Sequence, residues 1–559
     1  MPVDFLHAAD SGPRRVARLV EPTGVLMAGA PLSARDSQYF DHFRNHVIYQ
    51  LGGAGFGDVW GRTILREGSR DPCVFNAILG LGALYRAKSS PAAAQLTIPL
   101  CKTRVNAPSP ATRSPDHYYE ALAYYTAAIS RFQKRIAVND PYTPRAVLIF
   151  SMLLSTFESL QGDIAAADQL TAHAIIALRD LLLRRRTRPR AYPSPATSAS
   201  SSPSAPSTPR LSKIVSELAN SNFPSSPHGN SRERESLIAA PLDDEGVREA
   251  EFALVRNVAF NVALTPFYPR AREALLAMKF DYLDRAPRPP TIEECRISGG
   301  SKVFWRDVVR FGTMQAVWSF HVRAIMHATL FANPHLSGAE FLAAVPDMKR
   351  HKSDQAGFLL ANKEWMDALE KHPQLVSDSD ESALTKAMAK GLAIVLNVSY
   401  WSLSSWLDHP SEFQLKGDYA AAAAALLDQN ELTIMYLPAH LRDQGTSQDG
   451  LIPTLATPAQ QSPHRALRLR ALELWDRIVS PRSSWLVRGM YLGTKALVEA
   501  EEVHRDPVTN RIPTHKQYAW TKGDWSPDYA QLHVTLTGLV PDEHGNRTVK
   551  TVTVDVPSE

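Results

Sequence analysis

Apolar positions along this chain recur mostly with the period of an α-helix. In HYYEALAYYTAAISRFQKRIA, Tyr118, Leu122, Tyr125, Ile129, Phe132 and Ile136 fall three and four residues apart, which predicts a helix with one buried stripe. RAVLIFSMLLSTFESLQG is apolar nearly all round, the pattern of a helix covered by neighbours on several sides. Gly162 is placed to end that helix and Asp163 to cap the next. The helix that follows, IAAADQLTAHAIIALRDLLLRRR, crowds its cations into the last turn, where the helix dipole favours them. Short breaks between the three predict an antiparallel helical stack.

Helical patterning resumes near Glu245 in EGVREAEFALVRNVAFNVAL and continues through FWRDVVRFGTMQAVWSFHVRAIMHATLFA. It returns in ALTKAMAKGLAIVLNVSYWSLSSWL, YAAAAAALLDQNELTIMYL and RALRLRALELWDRIV. Only the end of the chain differs: AQLHVTLTGL and RTVKTVTVDV alternate apolar with polar residues, as a β-hairpin does. The helix pairs show no fixed-period repeat. The expected fold class is all-α, an array of packed antiparallel helices with a long disordered insertion and a short C-terminal β-hairpin. The expected organisation is an N-terminal arm at 1–35, a first helical part at 36–186, and a Ser/Pro-rich disordered insertion at 187–240. A second helical part at 241–513 and a C-terminal extension at 514–559 complete it.

Composition narrows the function classes. The 559 residues are 44% hydrophobic, enough for a sizeable core, and their net charge of +4 does not make the whole chain a nucleic-acid binder. Cys73, Cys101 and Cys295 are too few and too scattered for a disulfide framework or a four-ligand zinc site, which points to a reducing compartment. The N-terminus lacks the apolar run of a signal peptide, and no apolar window is long enough to span a membrane.

LGGAGFGDVW, Leu51 to Trp60, raises the question of nucleotide binding. A kinase-type loop needs glycine at its first, third and sixth positions, and Ala54 occupies the third. The strand lysine, the catalytic-loop Asp and the Asp-Phe-Gly of a kinase do not follow. YFDHFRNHVIYQ before the glycines reads as helix, not as the buried strand of a dinucleotide site. The expectation is therefore a helix-to-helix turn with Phe56 and Trp60 packed on the core. His42 and His46, one helical turn apart, have no third ligand at motif spacing and read as a packed or exposed pair. Cys73 opens an apolar helix, where it is either a small hydrophobe or a thiol activated by the helix N-terminus; the first reading needs no base, and none is marked. Asp243, Asp244 and Glu245 read as an acidic helix start. These features predict no catalytic, cofactor or metal residues.

Several segments in order resemble the helical regulatory region of fungal binuclear zinc cluster transcription factors, the six-cysteine class. They are YFDHFRNHVIYQLGGAGFGDVWGRTILREGSRDPCVFNAILGLGALYRA, HYYEALAYYTAAISRF, FESLQGD, AADQLTAHAIIALRDLL and WLVRGMYLGTKALVEAEEVHRDPVTNRIP. The resemblance runs from Asp36 to about Pro513, without the insertion. It departs from the family at one point: the six clustered cysteines that hold two zinc ions are missing, and the N-terminal 35 residues contain no cysteine. A truncated reading frame, a family member that works through partners, and a protein recruited to another role all accommodate that departure.

The resemblance implies a nuclear transcriptional regulator, of a specialised (secondary) metabolite pathway, without zinc-cluster DNA binding of its own. Its expected partners are proteins, either transcription machinery or a DNA-binding co-regulator. The aromatic helices that carry Trp305, Trp318, Trp401 and Trp406 read either as core or as the walls of a pocket for a small-molecule effector. Arg184, Arg185, Arg186, Arg188 and Arg190 form a candidate nuclear-import signal. Ser194, Ser202, Thr208 and Ser226 each precede proline and are candidate phosphosites, whose added charge would weaken importin contact. The alternative reading is a helical scaffold or adaptor with no transcriptional role.

Overall fold

The computed structural model of the chain describes residues 32–48, 59–88, 117–137, 143–187, 266–278, 282–289, 301–333, 338–371, 419–437, 451–479, 485–526, 529–541 and 546–556, with isolated positions between them. The first helical group comprises α1 (Ala34–His42), prolonged by a π-helical turn (Phe43–Val47), a second π-helical segment (Val59–Ile64), α2 (Leu65–Arg70) and α3 (Pro72–Lys88). It continues with α4 (His117–Ala137), α5 (Thr143–Gln161) and α6 (Ile164–Thr187). Helix α1 begins two residues before the expected Asp36. Ser33 Oγ accepts from Asp36 N at 3.0 Å and Ser33 N donates to Asp36 Oδ2 at 3.2 Å, a reciprocal cap.

On α4 the buried line is Tyr118, Ala121, Tyr125, Ala128 and Phe132, while Leu122 and Ile129 lie half-buried beside it. The predicted stripe is thus rotated slightly, with alanines where α3 packs along it. Helix α5 is buried without interruption from Val147 to Phe157, as its all-round apolar sequence requires. Gly162 then takes a left-handed φ of 89°, and its N–H closes on the Glu158 carbonyl at 3.0 Å. Asp163 Oδ1 accepts from Ala166 N at 3.0 Å and caps α6. Both boundaries fall where the sequence puts them.

Next come α7 (Pro269–Leu276), α8 (Tyr282–Arg285), α9 (Ser301–Ala332), α10 (Gly338–Ala344) and α11 (Met348–Lys371). The start of α7 has no local side-chain cap. Buried Asp168 on α6 supplies one from across the fold, accepting from Arg270 N at 3.1 Å and Ala271 N at 2.8 Å. Helices α9 and α11 meet through aromatic pairs: Phe304–Trp365 at 5.4 Å, Phe311–Phe358 at 6.2 Å, Phe311–Trp365 at 6.0 Å and Trp318–Phe358 at 5.2 Å between centroids. Rising numbers on α9 meet falling numbers on α11, so the two run antiparallel.

The last part holds α12 (Tyr419–Tyr436), α13 (Leu451–Gln461), α14 (Arg465–Asp476), α15 (Trp485–Glu502) and strands β1 (Tyr518–Trp525), β2 (Gln531–Pro541) and β3 (Arg547–Asp555). The strands form one antiparallel sheet in the order β1-β2-β3. The expected hairpin is β2–β3; the finding that extends it is β1, a third strand. A register shift between Trp520 and Lys522 breaks the alternation of β1, which hides it from pattern reading. On β2, Leu532, Val534 and Leu536 are fully buried and join the helices in one continuous core. Gly493 on α15 makes this docking close, because a Cβ there would collide with the ring of Trp520.

The fold class is therefore mostly α with a small terminal sheet. Apart from residues 32–35 and Thr187, the arm at 1–35 and the insertion at 187–240 lie outside the described residues, as do Glu245 to Leu264. ALTKAMAKGLAIVLNVSYWSLSSWL is described only at isolated helical positions such as Ala387 and Val398.

Candidate functional site

The glycine stretch is flanked by helix on both sides: α1 with its π-helical turn before, and Val59–Ile64 and α2 after. Neither the buried strand of a dinucleotide fold nor the lysine-bearing strand of a kinase borders it. Trp60 is buried in the core as expected. Phe56 and Gly52 to Gly57 lie outside the described residues.

His42 and His46 lie tilted against each other at 4.9 Å between centroids. Burial, the neighbouring His46, Arg86 and His117 push the His42 imidazole down to about 4, so it is neutral at physiological pH. No cluster of three or more His, Cys, Asp or Glu side chains suited to a metal occurs among the described residues. Cys73 is buried at the start of α3. Its N–H donates to Asp71 Oδ1 at 2.8 Å, and burial pushes its thiol up to about 11. Desolvation thus outweighs the helix N-terminus, and the small-hydrophobe reading fits the site.

Helix α6 runs to Thr187, which places Arg184, Arg185 and Arg186 on its final turns. Arg188, Arg190, Ser194, Ser202, Thr208 and Ser226, along with Asp243, Asp244 and Glu245, lie outside the described residues. Trp318 is a core residue packed at a tilt against Phe358, and Trp305 lies on α9. Trp401 and Trp406 lie outside the described residues. Of the four tryptophans, Trp318 is the one whose side chain is described.

Polar chemistry gathers instead at three places that the sequence alone does not mark. The first is a set of tyrosine–carboxylate contacts among α1, α4 and α5. Tyr39 bonds Glu120 and, at 2.8 Å, His117 Nδ1; Tyr124 bonds Asp36; Tyr125 bonds Glu158; Tyr118 donates to Gln161 Oε1 at 3.0 Å. Burial raises the Glu158 carboxyl to about 7 against the opposing Tyr125 hydroxyl, so this acid titrates near neutrality.

The second is a buried guanidinium–carboxylate junction. Arg468 on α14, 2% exposed, donates through Nη2 to Glu501 Oε2 at 2.6 Å, through Nη1 to Glu502 Oε1 at 3.1 Å, and through Nε to the Ala459 carbonyl at 2.9 Å. Arg505 closes on Glu502 at 2.6 and 2.7 Å. Glu501 Oε1 accepts the Tyr518 N–H at 2.8 Å, tying the sheet to α15. Burial lifts Glu501 above the usual carboxylate range despite Arg468. For Glu502 the same burial is outweighed by Arg505 and Arg468, and the group sits low.

The third lies at the α8–α9–α11 junction. Buried His321 meets the Tyr282 hydroxyl at 3.1 Å through Nδ1, and burial with nearby His351 pushes its imidazole down to about 4.

These constellations tie neighbouring helices together. No described helix is long and apolar enough to cross a membrane. No family model, no curated protein and no solved structure matches the chain.

Proposed function

We propose that this chain is a transcriptional regulator of a specialised metabolic pathway, acting through protein partners from a helical regulatory domain and without a zinc-cluster DNA reader of its own. On this reading it works in the nucleus, is not an enzyme, and takes its DNA address from a co-regulator or from the transcription machinery. The observation that carries the reading is the ordered run of segments that resemble that family, from Asp36 to about Pro513, each built from packed apolar helix faces. The buried, proton-holding Cys73 thiol and the helix-flanked glycine stretch favour a regulatory over a catalytic role. The cationic end of α6 supplies a candidate import signal.

The test is the location of a fluorescently tagged full chain, together with transcript levels after gene deletion. Nuclear accumulation that is lost when Arg184, Arg185 and Arg186 become alanine, with a defined gene set changing on deletion, is the expected outcome. Cytosolic retention with unchanged transcripts would transfer the protein to the scaffold reading. ATP turnover by the purified chain would reopen the enzymatic one.

A further inference from the structure

Strand β3 is an edge. Among the described residues it pairs with β2 and with no other strand. The Val556 N–H donates to the Ala530 carbonyl at 2.8 Å. Ala530 stands opposite Val556 when the ladder is continued by one step, so the two form a hydrogen-bonded pair. Antiparallel ladders alternate, which turns the N–H and C=O of Val554, Val552 and Lys550 toward β2. Those of Val549, Thr551, Thr553 and Asp555 point the other way, off the edge. All four of these residues are exposed, Val549 at 63%.

Edge strands are ordinarily blunted by proline, bulges or charge. At the opposite edge of the sheet, β1 is interrupted by the register shift between Trp520 and Lys522. From Val549 to Asp555, β3 has no shift, no proline and no glycine, and Lys550 is its one charge before Asp555 ends it. Lys550 stands opposite the buried Leu536 yet is itself exposed, so the helices that cover β2 stop short of this edge and leave room beside it.

The order of charges along the strand decides what fits there. A second β3, run antiparallel about a two-fold axis at Thr551, sets Arg547 opposite Asp555 at each end, Val549 opposite Thr553 and Lys550 opposite Val552. Both terminal pairs are then of opposite charge, and β-branched residues face one another between them. An axis at Lys550 would instead oppose the two lysines. Asp555 is exposed, and its Oδ1 accepts from Gln531 Nε2 at 2.8 Å. Arg547 lies over the Phe331 ring at 5.1 Å and donates to the Gly538 and Leu539 carbonyls, which are neutral acceptors.

We propose that two copies of this chain join through antiparallel β3–β3 pairing centred on Thr551, which merges the three strands of each into one six-stranded sheet. The contact is a single ladder wide, so the dimer is reversible rather than permanent. It goes beyond the transcriptional reading and is independent of it, since a scaffold could double in the same way.

Sedimentation of the full chain between about 1 and 100 µM reads the pairing, and a concentration-dependent monomer–dimer equilibrium is expected. Thr551→Pro removes an N–H that points off the edge and none that serves β2. It should raise the dimer dissociation constant at least about tenfold while the melting temperature holds. Asp555→Lys sets like charges opposite each other at both ends and should weaken the dimer about tenfold. Thr551→Cys, on the axis with Cα atoms about 5.5 Å apart, should give a covalent dimer under mild oxidation, and Thr548→Cys, away from it, should not. The cysteine pair keeps the test open if the proline variant unfolds. A parent chain that stays monomeric at about 100 µM overturns the proposal. So does a dimer untouched by Thr551→Pro in a folded protein or by Asp555→Lys, or equal crosslinking through both cysteines.

Discussion

Tyr118, Tyr124 and Tyr125 on α4 each reach an oxygen on another helix, whereas Gln315 and Asn362 in the α9–α11 seam reach no described partner. Both regions bury polar groups among aromatic rings: Tyr125 stacks on Phe157 at 4.2 Å, and Phe358 packs on Trp318 at 5.2 Å. In the first region the phenol hydroxyl sits at the tip of a large apolar ring, so burial of the ring and satisfaction of the oxygen are achieved together. In the second, short amides stand in a line of large rings, and no described group bonds them. A polar group inside a protein therefore marks a clamp or an unfilled demand according to what stands opposite it.

Substitutions can sharpen that contrast, and the largest effect is expected at the most completely paired site. Arg468→Leu leaves the buried Glu501 carboxylate without a cationic partner, while Glu502 keeps Arg505, and should cost about 3–5 kcal/mol, measured by urea unfolding at pH 7. Glu158→Gln should act with the opposite sign. The Glu158 carboxyl is raised to about 7 in the folded state, so the stability it contributes is complete below the ordinary carboxylate range and is lost as pH rises through 7. The glutamine variant should match the parent at pH 4 and exceed it by roughly 2 kcal/mol at pH 8. An advantage of equal size at both pH values would show that ionisation is not the cause.

In the seam, Asn362→Leu should stabilise the chain by about 1 kcal/mol, because it removes an unsatisfied amide and deletes no bond. A clear loss of stability there would place Asn362 among the paired groups and dissolve the contrast. The smallest effect belongs to a local cap. Asp163→Ala frees the Ala166 N–H and should cost about 1 kcal/mol, visible as a lowered thermal midpoint.

That last residue also marks how far the sequence carries. The break between α5 and α6 is legible because one glycine and one aspartate make it locally, and the β2–β3 hairpin is legible because both strands alternate cleanly. Helix α11 escapes pattern reading. Its buried line is His351, Gln355, Phe358, Asn362 and Trp365, so three of the five positions that define its inner face are polar and the hydrophobic period is faint. The Arg468 junction is illegible for another reason. Its partners stand 33 and 34 residues away, and in RALRLRALELWDRIV this arginine looks like the others until packing shows which one points inward. Local chemistry writes boundaries; contacts between distant segments do not show in any single stretch.

Trp520 pressed against Gly493 has a consequence for the life of the transcript. A message ending before codon 514 would yield every helix but lose the indole that seals α15 and the Tyr518 amide that engages Glu501. Such a shortened product would leave the ribosome with a greasy trough on its last helix and one fewer bond to Glu501, and exposed apolar surface is what quality-control proteases act on.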